Sequence, residues 1–210
     1  MRILIALTYY RPHYSGLTIY TERLARALVD LGHQVTVLTS QFEKELPREE
    51  IVDGVKVIRL PVALHISKGV IMPSMPFVAW REIRKADIVN IHLPQLDAAP
   101  IALNARILGK PVLLTYHCDL LLPSGFINRL ANIASDVANH IASSSAAKIV
   151  TNTMDYAYNS GFLGRYIDKV QEIPPPATLV PASKAAIDAF RVKHSINPDD
   201  KVIGMVGRLA

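Results

Sequence analysis

Short, nearly uninterrupted apolar runs alternate in this chain with longer segments whose apolar residues recur at helical spacing. That rhythm restricts the fold more than any single motif. The runs RILIALT (2–8), QVTVLTS (34–40), VKVIRL (55–60), DIVNIHL (87–93), VLLTYH (112–117), KIVTN (148–152) and VQEIP (the 169–174 region) read as strands. Their lack of a polar alternation fits strands covered on both faces. Between the first two, Leu17, Tyr20, Leu24, Leu28 and Leu31 form one apolar helical stripe. Gly32 follows it where a left-handed cap favours glycine. The turn pair Asp53-Gly54 precedes the third run, and Pro100 and Gly109 bracket the helical segment AAPIALNARILG. Further helices are expected from about Ile127 to Ala147 and from about Thr153. Strands interleaved with helices in this way predict an α/β fold with a doubly wound, mainly parallel sheet.

The rhythm breaks near the end. PPPATLVPASK (174–184) is a stiff, extended segment, followed by the helical AAIDAFRVKHS, the loop Asn197-Pro198-Asp199-Asp200 and the strand-like KVIGMVGRLA. The expected organisation is therefore a domain over 1–174, a proline-rich linker with a short helix over 175–200, and the first strand of a second, truncated domain over 201–210.

Of 210 residues, half are apolar and 20% are charged, so the chain is not of the disordered class. Its longest charge-free runs, 31–42 and 69–80, span 12 residues, where a bilayer crossing takes about 20. Met1-Arg2 and ILIALTYY have the charge and apolar run of a short signal sequence but lack a small-x-small cleavage site. The net charge of +5 is spread evenly rather than gathered in a stripe, so no nucleic-acid partner is expected. The single cysteine, Cys118, excludes a disulfide framework and reads as a small buried apolar residue. A reduced, cytoplasmic setting is expected, with the inner membrane surface as one place for it.

In open α/β sheets ligands sit beyond the carboxyl ends of the strands. YYRPHYSG (9–16) leaves the first strand and opens a helix. Gly16 there lets backbone approach a ligand, and free N–H groups favour an anion such as phosphate. A plain turn capped by Ser15 or Thr18 is the other reading. His117 and Asp119 leave one strand and His92 another, with Pro94 fixing the loop. Histidine in such a place can donate to a sugar hydroxyl or a phosphate, or can be structural. No His-x-x-x-His or carboxylate spacing accompanies His13, His92 and His117, so no metal is expected. There is no G-x-G-x-x-G, no acid ending strand 34–39, and no G-x-x-x-x-G-K-[ST], which disfavours nicotinamide and P-loop nucleotide sites. The block 64–85 mixes Met72, Met75, Phe77 and Trp80 with Lys68, Arg81, Arg84 and Lys85. It fits an amphipathic membrane edge, or a loop and helix start packing their own apolar residues.

The opening, with Tyr10, Pro12 and Gly16, then LARAL and LGHQVTVLT, resembles the amino-terminus of group 1 (family 4) retaining glycosyltransferases. DIVNIHLP, VLLTYHCD and KIVTNT look like later strands of the same domain, and VIGMVGRLA like the strand opening the donor domain. The resemblance implies a Rossmann-like amino-terminal domain of the GT-B architecture. It implies sugar transfer from a nucleotide-sugar to a hydroxyl with retention, and no cofactor beyond that co-substrate. The acceptor would be a sugar or a lipid-linked sugar, with peripheral membrane contact in the second case. Residue by residue it implies donor contacts at Ser15, Gly16 and Arg208, a catalytic role for His117, and acceptor contacts at Tyr9, Tyr10, His13, His92 and Asp119. Two departures stand out: Ser15 replaces the first of a glycine pair, and PPPATL replaces a P-N-G-V-D-type segment. Non-catalytic docking modules, sugar phosphorylases and nucleotide-sugar epimerases of the same architecture are the rival readings.

Overall fold

The computed structural model describes residues 1–66, 69–119, 125–177, 181–197 and 199–205. The chain divides into two compact units, Met1–Pro176 and Ala177–Ala210. In the first, the strands are β1 (Arg2–Ala6), β2 (Gln34–Gln41), β3 (Glu49–Val52), β4 (Val55–Pro61), β5 (Leu64–Ile66), β6 (Gly69–Ile71), β7 (Ile88–Leu93), β8 (Val112–Tyr116), β9 (Lys148–Thr151) and β10 (Val170–Glu172). The helices are α1 (Gly16–Asp30), α2 (Met75–Lys85), α3 (Ala98–Ile107), α4 (Phe126–Ser145) and α5 (Met154–Asn159), with a 3-10 segment at Leu163–Lys169.

Eight strands form one sheet in the order β10-β9-β8-β7-β1-β2-β4-β3, while β5 and β6 pair as a separate hairpin. Every pairing in the large sheet is parallel except β3 with β4. The doubly wound, mainly parallel α/β sheet expected from the rhythm is thus present, and all seven anticipated strands lie in it. Strand β3 was not anticipated. Its sequence EEIV is too charged to read as a buried run, and it holds the sheet edge, where Lys56 Nζ reaches Glu49 Oε2 at 3.2 Å.

The apolar runs alternate between two cores. From the first strand Leu4 and Ala6 enter the larger core, whereas Ile5 and Leu7 enter the smaller. Val55 and Val57 join the smaller core, and Ile58 and Leu60 the larger. Helix α1 covers the smaller core with Leu17, Ala25, Leu28 and Val29, and α2 and α3 cover the larger with Met75, Ala79, Ile83, Ile101 and Ala102. Burying each large aliphatic contributes roughly 1.5–3 kcal/mol relative to exposure.

The strand order sets the position of the crevice. From β1 the chain moves outward to β2 and β4, then returns to β7 on the other side and runs outward to β10. The reversal lies between β1 and β7, where Ala6 is level with Ile91. In open α/β sheets such a reversal is where the loops leaving the two strands diverge and ligands bind.

The second unit carries α6 (Lys184–Lys193), capped by Ser183, whose side chain accepts from the Ala186 N–H; no residue of α6 is buried. Residues 201–205, expected to start a strand, have no strand pairing. Residues 206–210, the rest of that expectation, lie outside the described residues, and Arg208 with them.

Two glycines show how backbone and packing combine. Gly32 and Gly54 both have positive φ, +83° and +77°; a Cβ on Gly32 would meet open space, whereas one on Gly54 would sit 2.8 Å from Val29 Cγ1. Gly32→Ala should therefore cost only backbone strain, about 1 kcal/mol. Gly54→Ala should cost about 1–3 kcal/mol more through the added clash, an excess recovered in part by Val29→Ala. Urea midpoints of the three variants measure this, and equal losses at the two glycines would remove the clash from the account.

Candidate functional site

At the start of α1, Ser15 is extended and its hydroxyl caps the helix, accepting from the Thr18 N–H at 3.2 Å. Thr18 Oγ1 donates to the Tyr9 carbonyl at 3.3 Å, so the 2.9 Å bond between the two hydroxyls takes its proton from Ser15. Both hydroxyls are thereby engaged within the protein. The N–H groups of Gly16 and Leu17 belong to the first turn and have no partner within the helix. A Cβ on Gly16 would meet nothing within 4 Å. The glycine is exposed and unconstrained by its own protein, which leaves the helix start open to an anion.

Behind this opening lies a buried polar seam. In β7, Val89, Ile91 and Leu93 point into the larger core, so the intervening Asn90 and His92 point to the α1 face. Asn90 Oδ1 accepts from Thr115 Oγ1 at 3.0 Å. His92 is fully buried, with its Nδ1 3.1 Å from Thr21 Oγ1 and 3.0 Å from His117 Nε2. The two imidazoles stack at 5.2 Å, and Tyr20 meets the His117 ring edge-on at 4.9 Å. The His117 N–H donates to the Leu93 carbonyl at 3.1 Å, fixing the loop as it leaves β8.

Hydrogen-bond bookkeeping assigns the tautomers. Thr21 donates its own proton to the Leu17 carbonyl at 2.9 Å and can only accept from His92. His92 Nε2 is buried without a partner. A proton there would be an orphaned buried donor, costlier than an orphaned lone pair. His92 therefore carries its proton on Nδ1 and shares it between Thr21 and His117. His117 accepts at Nε2, so a neutral His117 keeps its proton on Nδ1, the nitrogen for which no bond is seen among the described residues. Burial holds both rings neutral: His117 is lowered to about 4, and His92 well below the ordinary range by burial first and its neighbour second.

The other expected residues separate by position. Tyr9 and His13 stack at 4.7 Å, and Phe42, which the sequence reading missed, meets both edge-on. Tyr10 is 2% exposed and packs in the smaller core, its phenol pushed up to about 12 mainly by burial, so it does not line the cleft. His92 also fails to reach the cleft surface and acts on His117 instead. Asp119 Oδ1 accepts from Tyr116 Oη at 2.6 Å and Ser160 Oγ at 2.9 Å, and its N–H donates to Tyr156 Oη at 2.7 Å. That carboxylate clamps the loop after His117 onto α5. Cys118 is exposed rather than buried because it lies in that loop, past the end of β8. Arg59 is likewise unforeseen: buried in β4, its guanidinium donates to the carbonyls of Arg11 at 2.8 Å and Pro47 at 3.1 Å and holds the 10–12 loop.

Buried polar atoms without partners include His13 Nδ1 on the loop leaving β1 and both amide atoms of Gln95 on the loop leaving β7. Such atoms are rare in proteins, and beside a crevice they are completed by ligand or water. Asp97, on the loop leaving β7, is pushed up to about 6 by burial. Among the described residues no three His, Cys, Asp or Glu side chains are grouped to hold a metal ion. No described helix is long and apolar enough to cross a membrane.

Comparison with known proteins bears on the fold. The structure is similar to Anabaena HepE, solved with UDP and glucose (TM-score 0.58, 14% identity, 91% of this chain and 50% of that one). It is similar to sucrose-phosphate synthase from Thermosynechococcus elongatus (0.58, 16%, 94% and 53%). It is also similar to WaaG, a glycosyltransferase of lipopolysaccharide biosynthesis (0.54, 19%, 93% and 52%). The chain spans about half the length of each, and at these identities the likeness is one of fold. No curated protein matches the sequence significantly. The model of the glycosyl transferase 4-like domain matches residues 15–176, from the cap of α1 to the end of the first unit, and the chain belongs to that family.

Proposed function

We propose that this chain is the acceptor-side, amino-terminal part of a glycosyltransferase that moves a sugar from a nucleotide-sugar to a hydroxyl with retention. The observation that carries the reading is the pairing of an open helix start at Gly16 with the neutral His117 held by His92 at one strand-order reversal. The N–H groups of Gly16 and Leu17 would meet the donor's phosphate or transferred sugar, with the α1 dipole favouring negative charge. His117 would offer its Nδ1–H to a sugar hydroxyl. In this tautomer it is a donor, and a neutral one, so it orients the sugar without repelling a cationic transition state. Tyr9 and His13 would form the acceptor wall with Phe42. By the same resemblance Arg208 would contact the donor diphosphate, and a lipid-linked acceptor would present its sugar hydroxyl beside Tyr9 and His13.

The test is transfer from a UDP- or GDP-sugar by a protein carrying this chain joined to a donor-binding domain. His117→Ala should lower kcat/KM by about 10²-fold, the loss typical of one donor serving a transition state. Absence of transfer with every nucleotide-sugar would overturn the reading. Gly16→Ala separates ligand from fold. With free space at the Cβ, the free protein should be unchanged or stabilised by about 0.4–1 kcal/mol. The donor KM should nevertheless rise, and an unaffected KM would move the phosphate elsewhere.

The histidine pair also predicts a direction of pH dependence. Between about pH 6.5 and about 4 the unfolded chain binds protons at these rings that the folded chain does not, so stability falls on acidification through that window. Urea unfolding at about pH 7 and about pH 5 should show the loss, and it should shrink in His117→Phe. An equal loss in that variant would place the acid sensitivity on other groups.

A further inference from the structure

The helices α1 and α3, which follow the two strands at the reversal, start differently. Ser15 caps α1 with its hydroxyl, whereas Asp97, in the same position on α3, makes no capping bond. The sequence supplies the reason. A capping carboxylate accepts from the second or third N–H of its helix, and the third residue of α3 is Pro100, which has none. The Ala99 N–H belongs to the first turn and has no partner within the helix. Asp97 is therefore left with a carboxylate that α3 does not use. Burial alone pushes it up to about 6, and no hydrogen bond or ion pair reaches it among the described residues.

Two residues earlier, Gln95 is 5% exposed, and neither its amide oxygen nor its amide nitrogen has a partner. The Ala98 N–H reaches the Gln95 carbonyl at 3.4 Å, so Gln95 and Asp97 share one turn just past β7. The unmade bonds there define what would complete them. The turn offers acceptors at the Asp97 carboxylate and Gln95 Oε1, and donors at Gln95 Nε2 and the Ala99 N–H. A phosphate would bring negative charge against a carboxylate that no cation neutralises. An ammonium group donates to the carboxylate but cannot accept from the amide. A hydroxyl does both, and two hydroxyls of one sugar ring would meet the carboxylate and the amide together. A sugar lacking them would leave both buried groups unpaired, which is the stronger route to discrimination.

We propose that Gln95 and Asp97 form a sugar-hydroxyl subsite that selects the acceptor by ring hydroxyls other than the one that attacks. Calling the bound sugar an acceptor rests on the transferase reading, but the binding itself is read without turnover.

The Gln95 side-chain amide gives its own pair of proton–nitrogen resonances, assigned by their loss in Gln95→Leu. Methyl α-glucoside, methyl α-galactoside and methyl α-mannoside, which differ only in the orientation of ring hydroxyls, are titrated separately into the chain. They should shift this pair unequally, with one glycoside binding best. Inorganic phosphate and UDP-glucose should leave the pair in place. Asp97→Asn should bind the preferred glycoside roughly 10-fold more weakly. In Gln95→Leu the shift that the glycoside causes at the Ala99 N–H should disappear. Both variants should melt at or above the parent temperature, since one removes an unneutralised charge and the other two unmade bonds. No shift with any glycoside would overturn the subsite, because water alone would then complete these atoms. Unchanged affinity in Asp97→Asn, or lower melting in both variants, would overturn it too, the second by giving the side chains to the fold. A shift with UDP-glucose alone would assign the hydroxyls to the donor, and one with phosphate alone would make the turn an anion site; either result sinks the proposal. Glycoside binding at Gln95 without transfer by the protein joined to a donor-binding domain would end the transferase reading and leave the sugar site standing.

Discussion

A parallel sheet must be covered on both faces, because each return to a neighbouring parallel strand needs a crossover that lands on one face or the other. In this chain the consequence is strongest at β1, which is paired on both sides and sends Leu4 and Ala6 to one core and Ile5 to the other, where Leu7 joins it just past the strand's end. Such a strand has no room for a polar side chain unless a partner waits for it. Every polar group admitted to the centre of the sheet therefore needs a specific companion. The chain supplies these in pairs: Asn90 with Thr115, and His92 with Thr21 and His117.

That requirement links fold to chemistry. Thr21 lies on α1, nearly two turns beyond the Ser15 cap, while His92 lies near the end of β7 and His117 just past the neighbouring β8. The bonds among them fix the rotation of α1 over the sheet, and with it the direction in which the first-turn N–H groups point. The same bonds fix the tautomer of His117. Stability and site geometry thus share atoms, and a change at Thr21 would disturb both. Asp119 plays the corresponding part on the far side of His117, since Tyr116, Tyr156 and Ser160 converge on its carboxylate and backbone and hold the loop from β8 against α5.

The strand–helix rhythm was legible in the sequence because burial on both faces leaves long apolar runs. It failed where that cause is absent. The edge strand Glu49–Val52 and the hairpin of Leu64–Ile66 with Gly69–Ile71 are short and half-exposed, so their patterns carry little signal. The site was legible only as places where strands end. His92 and His117 were found that way, and a sharper reading was available for His92: Asn90 and His92, two apart in an apolar strand, already mark one polar face. Tyr10 and Tyr9 are neighbours of the same type, and nothing local says which of them turns into the core. Phe42 and Arg59 reach the loop of residues 9–16 from other strands, a relation set by the order of β2 and β4 beside β1 rather than by sequence distance.

Helix α4 marks the limit of reading a helix by its stripe alone. Its periodicity identifies a helix with opposed polar and apolar faces, and the default orientation would place Leu130, Ile133 and Val137 against the sheet. The structure places Ser135, Ala138, Asn139, Ala142 and Ser143 there instead. The small side chains Ser135, Ala138, Ala142 and Ser143 suit a close approach to α3, whose buried face is also alanine-rich at Ala98, Ala102 and Ala105. Large aliphatic residues turned inward would hold the two helices apart and open the larger core between Ile101 and Leu114. Close packing in the helix layer and an apolar outer face are two consequences of one choice of small residues. The unpartnered oxygens of the inward stripe are part of its cost.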